Sequence, residues 1–178
     1  MKKLHVLFIA LALVFTACSS DDNNTNNDPG DGDVNGELLG LWNAVDVLYT
    51  GDTVVEVAGQ TIVTDFVGES YDVDFTLEFT ENPNEYVSEG SYSVELTSTT
   101  LGQTQVFDVP NLEFIGDGTW TRDGNEITTM ANGDEGVMTI LELTATTLRL
   151  GYQTVEVINN QGTLNTTTID LVTIYSRM

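Results

Sequence analysis

The chain has 178 residues, and its 28 acidic and five basic side chains give a formal net charge of −23. That charge repels phosphate backbones, which excludes nucleic acid as a partner, and it repels anionic membrane surfaces as well. There is a single cysteine, Cys18. A lone thiol could serve as a nucleophile, half of an intermolecular disulfide, a metal ligand or an attachment point.

Lys2 and Lys3 open the chain, an almost unbroken apolar run follows from Leu4 to Phe15, and Thr16 and Ala17 lead into Cys18. The run falls short of the roughly 20 residues that span a bilayer, so residues 1–17 read as a secretory signal. The stretch FTAC resembles a bacterial lipobox, with Phe15 where that family usually has Leu. The resemblance implies cleavage before Cys18 and attachment of an acylated (palmitate-bearing) lipid to its sulfur through a thioether, which consumes the thiol. Two or more acyl chains anchor a protein stably at a membrane, so the membrane becomes a partner through the N-terminal lipid. The next residues, SSDD, resemble the acidic export signal of Bacteroidetes surface lipoproteins and imply display on the outer face of the outer membrane. The other reading is a solvated linker on a lipoprotein facing the periplasm.

Loss of residues 1–17 would remove every lysine and the only histidine, His5, leaving Arg122, Arg149 and Arg177 as the basic side chains. A chain without histidine has no Ser-His-Asp or Cys-His system. Zinc and other transition metals lack their usual nitrogen and sulfur ligands. Schiff-base chemistry lacks its lysine, and no glycine-rich phosphate loop is present. No cofactor and no metal are therefore expected, and only carboxylate chemistry survives, as a glycosidase-like pair or as oxygen ligands for Ca²⁺.

Residues 18–36 read as the acylated cysteine and a disordered acidic tether. From Ser19 to Gly36 the one apolar side chain is Val34, too little to bury a core. Asp31, Asp33 and Asn35 followed by Gly36 imitate the start of a calcium loop, but the twelfth position, which needs a bidentate Glu, is Trp42.

From Glu37 the pattern changes. In YDVDFTLEFT, Tyr71, Val73, Phe75, Leu77 and Phe79 alternate with polar residues, as in a half-buried antiparallel strand. Tyr92, Val94 and Leu96 repeat the alternation, as do Leu148, Leu150 and Tyr152. Turn signals fall at Pro83, at Asp123-Gly124, near Gly133 and at Gly162. The expectation is one all-β domain over residues 37–178, an antiparallel up-and-down β-barrel of about eight to ten strands, a form that removes exposed edges.

This region resembles the lipocalin-like domains of Bacteroidetes lipoproteins, within the lipocalin and calycin group. Gly40-Leu41-Trp42 matches the G-x-W of a first barrel strand, GTWTRDGNEIT and MTILELTATTLRLGY look like later hairpins of that family, and TIYSRM ends the last strand. The resemblance implies that Arg177 packs over Trp42 and closes one end. It also implies a barrel that holds a small apolar molecule, lined by Tyr71, Phe75, Phe79, Tyr92 and Trp120. The competing reading is that these aromatics fill the interior with side chains, as small barrels often do.

Three functional classes follow. The first is a lipid-anchored binding module for an apolar ligand. The second is a non-enzymatic accessory protein that contacts an envelope protein or a glycan and has a packed interior. The third is a carboxylate-pair glycosidase. A catalytic acid needs burial to raise its pKa, and the acids here fall on the polar phase of the strands, so no enzyme and no catalytic residue are expected.

Overall fold

The computed structural model describes residues 33–114, 116–160 and 163–178. The signal segment, Cys18, Asp21-Asp22 and most of the expected tether lie outside the described residues. Among the described residues no helix is long and apolar enough to cross a membrane. The expected lipid attachment at Cys18 and the export signal after it fall outside that range.

Nine antiparallel strands are described: β1 (Gly40–Val57), β2 (Gln60–Thr80), β3 (Glu85–Thr100), β4 (Gln103–Leu112), β5 (Gly118–Asp123), β6 (Glu126–Ala131), β7 (Asp134–Leu143), β8 (Thr147–Asn160) and β9 (Thr163–Arg177). They form one sheet in the order β2-β1-β9-β8-β7-β6-β5-β3-β4, with a further pairing of β2 on β3. All-β antiparallel architecture is thus what the alternation encodes.

The sheet does not close as the up-and-down, lipocalin-like barrel expected from the sequence. In that topology each strand pairs with its successor, yet β5 passes over β4 and touches β3 through only two residue pairs, Glu85↔Thr119 and Tyr86↔Gly118. Strand β4 pairs with β3 alone. Pro110 near its end lacks the amide that a second neighbour would bond, and Asn111 has a φ of 55°. Without barrel closure, the lipocalin resemblance at Gly40-Leu41-Trp42 and in the later hairpins loses its structural basis.

The core lies where the short strands face the lower halves of the long ones. Trp42, Phe75, Leu77, Phe79, Tyr86, Ile127, Met138, Ile140, Leu143, Leu148, Leu150 and Tyr175 are fully buried there. A register shift between Tyr71 and Asp74, with Asp72 at a φ of 49°, breaks the alternation read from YDVDFTLEFT. The bulge leaves Phe75, Leu77 and Phe79 inside and turns Tyr71 outward, 39% exposed. Opposite it, Gly90 (φ 105°) comes so close that an added Cβ would sit 2.1 Å from the Asp74 carbonyl oxygen. Only glycine fits there.

One end of the core is closed by the segment before β1 and the end of β9. The Arg177 guanidinium lies 4.1 Å from the centroid of the Trp42 ring. Its Nη1 donates to the Leu39 carbonyl at 2.8 Å, its Nε to the Ala145 carbonyl at 3.0 Å, and its Nη2 to the Glu37 carbonyl. The Trp42 indole N–H donates to the Leu38 carbonyl at 2.8 Å, so neither polar group in the stack lacks a partner. Residues 33–36, read from composition as the end of the tether, lie along β7: Gly36 N–H donates to Leu143 O at 2.9 Å and Leu143 N–H to Asp33 O at 2.5 Å. Arg122 Nη2 also donates to Val34 O, at 3.0 Å.

Truncating Arg177→Ala strips three carbonyls of their donor and uncovers Trp42. Urea denaturation should show a loss of about 2–4 kcal/mol. Arg177→Lys should recover only part of it, because an ammonium cannot reproduce the planar fork. A fully restored midpoint in the Lys variant would show that charge alone is at work.

Candidate functional surface

The five aromatics expected to line a ligand chamber do not form one. Phe75 packs on Tyr92, Phe114 and Tyr175, with ring centroids 5.3, 5.4 and 5.9 Å away. Phe79 meets Trp120 edge to face at 5.5 Å. The Trp120 indole N–H is shared between the Thr80 and Glu85 carbonyls at 3.0 and 3.1 Å. Tyr71 stands outside. Among the described residues, none of five surface depressions is lined by Phe75, Phe79, Tyr92 or Trp120. Two of the larger ones, about 390 and 380 Å³, are open grooves at the β1–β2 tip and over the outer faces of β7, β8 and β9. The interior is filled by side chains, which overturns the expectation of an apolar ligand held inside.

At the upper boundary of the core the hydroxyls of Tyr49 and Tyr92 bond to each other. Burial holds both phenols protonated above the ordinary tyrosine range, and for Tyr92 the bond with Tyr49 adds to the effect. Burial does the same to Tyr175, a push that the nearby Thr173 hydroxyl only partly offsets; neither of these two hydroxyls meets a partner at ordinary hydrogen-bond distance and angle.

Above this boundary the sheet continues without a core. The upper halves of β8, β9, β1, β2, β3 and β4 project as a six-stranded extension. Its cohesion comes from cross-strand pairs. Along one row the register sets Glu156, Thr167, Thr53, Thr64, Thr100 and Gln103 side by side. Within it Thr53 bonds Thr167 at 3.1 Å and Thr64 bonds Thr100 at 2.6 Å. Phe66 lies over Gly51, whose missing side chain makes the room.

Both faces of the extension carry exposed apolar side chains. Ile158 and Phe107 stand on the face that continues the core, and Val63, Val67, Val106, Val155 and Val157 on the opposite one. The charges are unevenly spread. On the outer face the register aligns Glu69, Glu95 and Asp108 across β2, β3 and β4, and sets Asp52 opposite Asp65. The β8–β9 side is nearly uncharged. Among the described residues no group of three or more His, Cys, Asp or Glu is placed to hold a metal ion.

Sequence reasoning did not single out Val155, Val157 or Ile158. A signal was there to use: QTVEVINN and TLNTTTI alternate like strands while carrying one carboxylate in an otherwise acidic chain.

No protein-family model matches the chain, and no curated protein matches it. Among solved structures it is similar to a polyisoprenoid binding domain from Saccharophagus degradans implicated in plant cell wall breakdown, at 10% identity and a TM-score of 0.25. The match covers 76% of this chain and 99% of that one, and so low a TM-score carries no argument.

Unfolded tyrosine ionises near pH 10, whereas Tyr49, Tyr92 and Tyr175 stay protonated when folded. Above that pH the unfolded chain binds fewer protons than the folded one, so stability falls as pH rises. Urea midpoints should be level from pH 7 to 9 and drop at pH 11. Tyr175→Phe should soften the drop and leave pH 7 stability unchanged or raised by about 1 kcal/mol, since the deleted hydroxyl has no partner. A clear loss at pH 7 would mean that the hydroxyl is bonded.

Proposed function

We propose that this protein works by surface contact with another polypeptide, through the six-stranded extension, and neither carries a ligand inside nor catalyses a reaction. The carrying observation is where its apolar surface lies. The interior is packed, while valine, isoleucine and phenylalanine side chains stand exposed on both faces of a sheet that projects past the core. Exposed apolar side chains gathered on one part of a strongly charged protein point to an interaction site. The extension also presents unpaired backbone along β4 and the upper part of β8, which suits addition of a polypeptide strand better than a glycan.

Photo-crosslinking side chains placed at Val63, Val106 and Val155 of the full chain, with Val45 at the opposite end as control, test this reading. Discrete adducts are expected from the extension and none from Val45. Equal adducts from all four positions, or none from the extension, would contradict it.

A further inference from the structure

We propose that the free upper edge of β8 joins two copies of this chain as one continuous antiparallel sheet, about a two-fold axis at Val157. The proposal rests on the contact reading above and gives the partner an identity.

The edge is open because β7 is too short to cover it. Pairing of β7 with β8 runs from Leu143↔Leu148 to Met138↔Tyr152, so from Gln153 onward β8 has β9 on one side and, among the described residues, no strand on the other. Natural sheets guard such edges with lysine, proline, bulges or inward charges. Residues 153–159 contain no lysine and no proline, β8 pairs with β9 from Thr147↔Ser176 to Asn160↔Thr163 without a register shift, and the one inward charge is Glu156. The other open edge, β4, is guarded. It carries Pro110, a register shift against β3 between Tyr92 and Val94, and Asp108 at the end of the Glu69–Glu95 row.

Charge makes the same choice. Two copies of a chain with net charge −23 repel each other wherever carboxylates meet. In residues 153–159 of β8 and 163–169 of β9, Glu156 is the one charged side chain. This stretch lets a second copy approach without stacking acids, and its Val155 and Val157 are 56% and 60% exposed.

The register follows from the same residues. With the axis at Val157, Val157 faces its own copy, Val155 faces Asn159 of the second copy, and Glu156 faces Ile158 of the second copy. Centring on Glu156 would set two carboxylates directly opposite, which antiparallel pairs disfavour. The arrangement is isologous and closes at two copies, because each β8 edge is used once.

Val157→Cys in a full chain carrying Cys18→Ser tests the register, since the introduced thiol is then the only one. Directly opposed residues have Cα atoms about 4.5–5.5 Å apart, within disulfide reach. Mild oxidation should give a covalent dimer, and Val106→Cys on the β4 edge should not. Sedimentation of the unmodified full chain should show a dimer that strengthens with salt, as screening relieves repulsion between the copies. Val157→Lys should weaken it about tenfold or more with an unchanged melting temperature, and Val106→Lys should leave it intact.

A full chain that stays monomeric with no Val157→Cys crosslink overturns the proposal, as does a dimer indifferent to Val157→Lys. If the photo-crosslinks capture only other polypeptides, the dimer is wrong and the contact reading stands. If the extension captures nothing, both fall.

Discussion

Strand length is the constraint from which the rest follows. Strands β5 and β6 have six residues each, while β1, β2 and β3 have 18, 21 and 16. Side chains can share a core only over the length that all strands cover. Below that limit the sheet curls around one aromatic cluster; above it β8, β9 and β1 to β4 continue with water on both faces. Backbone groups there are satisfied by neighbouring strands, except along the two outer edges. The extension and its exposed edges are therefore the direct result of a mismatch written into hairpin lengths.

Within the shared length, the interior is held by shape. Phe75 lies at the meeting of three other rings, and Phe79 with Trp120 fills the space beside Tyr86. Arg177 seals the end, turning the last strand's C-terminus and the segment before β1 into a lid over Trp42. A lid of this kind suits a scaffold with a dry interior. The acidic rows of β2 to β4 and the neutral flank of β8 and β9 then give the two sides of the extension different surface chemistry.

Much of the fold was legible in local alternation. Phe75, Leu77 and Phe79, Tyr92 and Val94, and Leu148 and Leu150 all face the core because a period of two leaves them no other face. Tyr71 was misread because a bulge is invisible to strict alternation: Asp72 adopts a positive φ that nothing in YDVD announces. The hairpins at Ala58-Gly59 and Leu101-Gly102 carry weak turn signals, since each uses one ordinary residue at positive φ, so the full lengths of β1 to β4 were not legible. Topology escaped for a related reason. The step from β3 to β5 depends on β4 being left aside, and only Pro110 hints at that.

The central claim is that apolar chemistry faces outward from a filled interior. Methyl NMR of the full chain titrated with a medium-chain fatty acid tests it most directly. The account predicts shifts confined to exposed methyls such as Val155, Val157 and Ile158, with Ile127, Ile140 and Leu150 unmoved. Saturable shifts of those three buried methyls would mean that a ligand enters the interior, and would contradict it.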